Sequence, residues 1–161
     1  MDWIIRSTSA DDTERIGRIL VGLLSPPEVL ELRADLGGGK TTFTRGLVSG
    51  FGSEDRVGSP TFTLKKVYKT PNLELHHFDF YRLDNPGVVA DQLKESLEDP
   101  KVITIVEWAD IVKGVLPEDR ITIEFKPVAD NEDERVVTFE VPPSKMVLIE
   151  KLRNKLSESE P

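Results

Sequence analysis

The run from Ala34 to Thr42, ADLGGGKTT, constrains this chain more than any other feature. Three successive glycines before a lysine and two threonines break a strand-like segment, Val29 to Leu36, and open a helical one. Glycines let consecutive backbone N–H groups turn inward around an anion. The helix that follows adds the positive end of its dipole. This strand–loop–helix setting is the context a phosphate-binding Walker A loop requires. Ala34 stands at the position usually held by the first glycine. The expected phosphate-contacting residues are Asp35, Leu36, Gly37, Gly38, Gly39, Lys40, Thr41 and Thr42. Lys40 can reach the terminal phosphates, and the Thr41 hydroxyl can ligate Mg²⁺.

A phosphate cradle alone does not hydrolyse anything; carboxylates must hold the metal and orient water. Two are well placed. Asp79 lies inside HHFDFYR, where alternation puts Leu75, His77, Asp79 and Tyr81 on one face. His76 and His77 fall on opposite faces and cannot share a metal. Glu107 follows the β-branched run Val102 to Val106, which reads as a strand buried on both faces, and strand C-terminal ends are where ligands sit in open α/β sheets. The rigid turn GSPTF carries Thr61, a candidate γ-phosphate sensor. Asn154–Lys155–Leu156–Ser157 lacks the Asp that a guanine reader needs, which favours ATP over GTP.

The rest of the chain supplies alternating helices and strands, and so an α/β fold. Trp3 to Arg6 reads as a short strand. Ser9 reads as the N-cap of a helix with Ile16, Ile19, Leu20, Leu23 and Leu24 on its apolar stripe, stopped by Pro26 and Pro27. Gly52 is the expected C-cap of the helix that begins at Lys40. Thr61 to Lys69 and Leu73 to Arg82 read as strands, and Pro86 to Glu98 as a helix. Ile121 to Phe125 and Val136 to Val141 form a late strand pair around an acidic loop, Asp130 to Glu134. A C-terminal helix from Ser144 carries Met146, Ile149, Leu152 and Leu156 on one side. We therefore expect a phosphate-loop domain over 1–143 and a helix or tail over 144–161. With 21 basic and 29 acidic residues, the net charge of −8 argues against a broad nucleic-acid surface of its own. There is no cysteine, so thiolate chemistry is excluded. No apolar run is long enough to span a membrane, and the N-terminus does not read as a signal peptide, so the cytoplasm is the expected location.

Four segments in this order, ADLGGGKTTFTRGL, GSPTFTL, LHHFDFYRL and IVEWAD, resemble the TsaE (YjeE) family. They lie between Ala34 and Asp110, and the resemblance extends over about the first 125 residues. It implies a P-loop NTPase-like three-layer sandwich with a mixed, mainly parallel central sheet. It also implies an ATPase subunit needed to make threonylcarbamoyladenosine beside the anticodon of bacterial tRNA. Such a subunit acts with TsaB and TsaD, touches tRNA only through that complex, and turns ATP over weakly alone. Carried over by position, Lys40 and Thr41 bind phosphate and Mg²⁺, and Thr61 is the switch threonine. Asp79 and Glu107 serve metal and water, and Trp108 belongs to a matching Glu-Trp pair. The family usually has Gly where this chain has Ala34, and commonly Ala where it has Gly38. No arginine finger is evident; Arg45 and Arg82 are the candidates. Two other readings of the motif are a small P-loop kinase and a nucleotide-gated binding module. The segment Pro86 to Asp99, with one basic and four acidic residues, is poorly suited to a kinase lid.

Overall fold

A computed structural model of the chain describes residues 1–35, 37–57, 64–81, 83–85 and 87–159. Seven strands form one sheet in the order β1 (Asp2–Ser7), β7 (Asn131–Glu140), β6 (Ile121–Val128), β2 (Glu28–Arg33), β5 (Val102–Glu107), β4 (Glu74–Asp79), β3 (Lys65–Lys69). The sheet is mixed. Its central strands β6, β2, β5 and β4 run parallel, and the pairings of β1, β7 and β3 are antiparallel.

Helices cover both faces, which makes three layers. One face carries α1 (Ala10–Val21), α2 (Lys40–Phe51) and α4 (Met146–Glu158). Ile16, Leu20, Leu47, Ile149 and Leu152 pack there against Leu30, Ile105, Ile123 and Phe139. The other face is covered over β2, β5 and β4, where Leu93 of α3 (Gly87–Glu98) joins Val29, Phe78, Phe80 and Val106. Beyond them, toward β1, Ile4 stays exposed.

Local sequence accounts for most of the element ends. Ser9 caps α1 by accepting from the Asp12 N–H at 3.1 Å. Gly52 ends α2 in the left-handed conformation, φ 83°. β5 is buried at all six positions, as a central parallel strand is.

Other ends differ from the sequence reading. The apolar stripe of α1 was expected to run on to Leu24, but the helix stops at Val21 and Leu23 and Leu24 lie in the following turn, their N–H groups bonded back to Leu20 and Val21. β2 ends at Arg33, so Ala34 and Asp35 already belong to the loop. Most of the expected acidic loop is the first part of β7: the hairpin turns tightly at Ala129–Asp130, and Asn131 already pairs with Val128. Sheet pairing there overrides the low strand propensity of Asp and Glu. Among the described residues, no helix is long and apolar enough to cross a membrane.

Candidate phosphate and metal site

The loop after β2 leads into α2 with Gly39 as its N-cap residue, at φ 111° and ψ 0°. That backbone is open to glycine and strained for other residues. Gly37 also has positive φ, 77°. Gly38 does not, but its lack of a side chain has a steric reason. A Cβ built there would lie 2.6 Å from the Ala34 Cβ and 2.9 Å from the Asp35 carbonyl oxygen. Positions 34 and 38 thus share space for one methyl.

Two neighbouring strands bring the acids in. β4 and β5 are parallel, and Asp79 is the register partner of Glu107. Both side chains emerge at the strand ends beside the N-terminus of α2. Asp79 is 3% and Glu107 4% exposed. One Asp79 carboxylate oxygen accepts from the Tyr81 N–H at 3.0 Å, which turns the chain off β4. At the end of β5 Trp108 adopts a left-handed backbone, φ 56°. A bulky residue there is strained, and such strain gathers at functional sites. The consequence is a ring placed between two partners: the Lys40 Nζ 4.3 Å from its centroid and the Tyr81 ring at 4.9 Å.

The residues converge on a cleft of about 210 Å³ lined by Gly37 to Thr42, Asp79, Glu107, Trp108 and Arg135. Whole-ligand pockets run to about 300–1,000 Å³, so this one matches a phosphate chain with the rest of a nucleotide outside it. Lys40 is buried, and its Nζ donates to the Ala34 carbonyl at 3.0 Å. Burial lowers its pKa from the ordinary lysine value, against the opposing pull of Glu107, Asp79 and Asp35. Burial alone would raise the Glu107 carboxyl. The neighbouring His77 ring and the Lys40 ammonium outweigh it and hold the group below the usual glutamate value. Glu107 is therefore a carboxylate, an acceptor only, at neutral pH. His77 Nε2 lies 3.4 Å from a Glu107 oxygen, without good hydrogen-bond direction.

The donor set suits Mg²⁺: two carboxylates and the Thr41 hydroxyl are hard oxygen donors in one cleft beside a phosphate cradle. Among the described residues, no three His, Cys, Asp or Glu side chains come together as a metal-ligand group. Mg²⁺ is held by one or two carboxylates together with substrate phosphates.

Most of the residues singled out from sequence meet in this cleft. Asp35 lies instead on a second groove, which shares Lys40 and Trp108 with the cleft and continues to Glu124 and Phe125. Leu36, Thr61 and Arg82 lie outside the described residues. Arg45 is an exposed residue of α2 and does not line the cleft. Arg135 of β7 does line it and was missed. Its only trace in the sequence is a single cation ending an acidic run, Glu132 to Glu134.

Known proteins are similar to this chain over most of its length. The family model described as "Threonylcarbamoyl adenosine biosynthesis protein TsaE" matches residues 7–137. The tRNA threonylcarbamoyladenosine biosynthesis protein TsaE of Bacillus subtilis (strain 168) is 37% identical over 134 residues, covering 83% of this chain and 82% of that one. The protein of the same name from Treponema pallidum is 37% identical over 131 residues, covering 81% and 96%. The crystal structure of Bacillus subtilis YdiB superposes with a TM-score of 0.80 at 33% identity, covering 96% of each chain.

Proposed function

Because the chain belongs to the TsaE family, we propose that it is a P-loop ATPase acting in the biosynthesis of tRNA threonylcarbamoyladenosine, in complex with TsaB- and TsaD-type proteins. The observation that carries the ATPase reading is the convergence of Lys40, Asp79 and Glu107, all buried, on one cleft beside a glycine-rich helix N-terminus. Three buried charges at one point are costly unless they have work to do.

The chain's own groups divide the task. Backbone N–H groups of the glycine run and α2 take the phosphate oxygens. Lys40 swings its ammonium between the Ala34 carbonyl and the β- and γ-phosphates. Thr41, Asp79 and Glu107 would hold Mg²⁺, which neutralises charge developing on the phosphates when bound. Glu107, ionised, accepts a hydrogen bond from the attacking water and orients it toward the γ-phosphorus. The water oxygen–phosphorus bond forms as the bond to the ADP oxygen breaks, giving ADP and phosphate. Thr61 is proposed as the γ-phosphate sensor. The negative charge of the chain fits a subunit that meets tRNA through its partners.

The test is steady-state ATP hydrolysis by the protein alone and with TsaB- and TsaD-type partners, with Lys40→Ala as the blank. A low rate that rises on adding the pair is expected. Glu107→Ala should keep ATP binding and lower turnover about a hundredfold or more. A rate indifferent to partners, despite ATP binding, would favour a phosphotransferase or a non-hydrolytic switch. Normal turnover of Glu107→Ala at saturating ATP would remove Glu107 from the water-orienting role.

A further inference from the structure

Arg135 comes from β7, on the opposite side of the sheet centre from Asp79 and Glu107, and its guanidinium makes three backbone contacts. Its Nε donates to the Gly38 carbonyl at 3.1 Å. Its Nη1 donates to the carbonyls of Glu132, at 2.6 Å, and Glu134, at 2.7 Å. The last two bonds fix the group to its own hairpin, and the first joins it to the glycine run. The side chain also lies over Gly39, with Cγ and Nε each 3.8 Å from where a Cβ would stand.

We propose that Arg135 is a positioning residue for the phosphate chain: it holds the Gly38–Gly39 peptide so that the Gly39 N–H faces the bound phosphate. The proposal rests on the reading of the cleft as a triphosphate site. A trans peptide is planar, with its C=O and N–H pointing in opposite directions. Fixing the Gly38 oxygen on Arg135 therefore fixes the Gly39 N–H on the opposite side of that peptide. The peptide needs such a restraint because it joins two glycines, and the torsions that flip it, ψ of Gly38 and φ of Gly39, meet little steric resistance. A planar guanidinium held by two further carbonyls is a rigid donor. A donor set in advance costs no reorganisation when the anion arrives.

The choice of variants separates this bond from plain charge attraction. Lysine carries Cε where arginine carries Nε, so Arg135→Lys keeps the charge and loses the donor to Gly38. Calorimetric titration of the full-length protein with ATP and, separately, with inorganic tripolyphosphate reads the effect. Arg135→Ala and Arg135→Lys should each weaken both ligands by about tenfold, the worth of one well-placed hydrogen bond. Turnover at saturating ATP should stay within about threefold of wild type, as for a group that acts on binding rather than on the chemical step. Thermal melting of both variants confirms that they are folded. Wild-type affinity in Arg135→Lys would show that charge alone matters and overturn the proposal. Weakened ATP with unchanged tripolyphosphate would also overturn it, because the contact would then be to the base or ribose. Failure of the wild type to bind either ligand, with Lys40→Ala indistinguishable from it, would overturn the phosphate reading itself.

Discussion

At the residue scale, the glycine run is shaped by one shared methyl. Gly38→Ala alone would set two Cβ atoms 2.6 Å apart across the loop, and no flexible side chain is there to yield. It should weaken nucleotide binding about tenfold or more by displacing the backbone, as a cost of ~1–3 kcal/mol for overpacking implies. Ala34→Gly added to it should restore part of the affinity, the approach of 2.9 Å to the Asp35 carbonyl oxygen remaining, and the coupling is measurable as a double-mutant cycle of ATP dissociation constants. Independent, additive effects would mean that the loop relaxes without the exchange. The steric pairing was not legible in the sequence. ADLGGGKTT shows where the loop is and that Lys40 and Thr41 open the helix after it, because those placements follow from local backbone geometry. That residues 34 and 38 touch, and that Arg135 reaches Gly38 from 97 positions away, depends on how the chain returns on itself. Asp79 and Glu107 stood between these cases. Each was noticeable as a charge in or beside an apolar strand, but their meeting required the parallel register of β4 and β5.

At the element scale, the closest packing is between α1 and α2. A Cβ on Gly46 of α2 would fall 2.0 Å from the Glu14 carbonyl oxygen of α1, so the two backbones approach with nothing between them. Gly46→Ala should destabilise the protein by about 2–3 kcal/mol and, because α2 carries Lys40 and Thr41 at its start, should loosen the phosphate site as well. Gly22→Ala is the matched control. Gly22 ends α1 at φ −66° and ψ −14°, a conformation any residue adopts, and its Cβ would meet only the Ile19 carbonyl oxygen at 3.5 Å. That substitution should stabilise by ~0.4–1 kcal/mol through the unfolded state. Urea midpoints of the two variants check both signs. The helices and strands themselves were readable from apolar periodicity, caps and glycines. Their ends were less so: Leu23 and Leu24 continue the α1 stripe in spacing yet lie beyond Gly22. The acidic start of β7 could not be recognised as a strand, because Asp and Glu have low strand propensity and only pairing with β6 across the tight turn makes it one.

At the scale of the whole molecule, a buried ion cluster fastens the open half of the sheet. Glu31 of β2, 2% exposed, accepts from Arg120 at 2.7 Å and Arg33 at 3.0 Å, and from the Thr122 hydroxyl at 3.3 Å. Burial pushes its carboxyl upward, but the bonds from Arg120 and Arg33 outweigh this and hold it below the ordinary glutamate value. A carboxyl lowered in the folded state contributes stability that is complete above its unfolded value. It is lost as pH falls through the folded one, so the loss belongs below about pH 4.5. Arg33 is 38% exposed, so its share is screened, and Glu31→Gln should cost about 2 kcal/mol at neutral pH rather than the ~3–5 kcal/mol of a wholly buried pair. Unfolding free energies of the two proteins, measured from pH 7 down to pH 3, should converge as the acid is titrated. A constant gap would assign the stability to packing instead.

The antiparallel pairing of β1 with β7 sets the first strand against the last, Asp2 opposite Glu140 and Ser7 opposite Arg135. On the ribosome these partners emerge far apart in time. At roughly 5–20 residues per second, β1 waits on the order of ten seconds or more for its neighbour. Until then Trp3, Ile4 and Ile5 form an apolar strand with no sheet to join. The nascent chain thus carries its glycine-rich loop and helix α2 well before it has a closed sheet, and the guanidinium that reaches Gly38 arrives with the same late strand that shelters the N-terminus. Completion of the sheet and of the cleft thus depend on the same late strand.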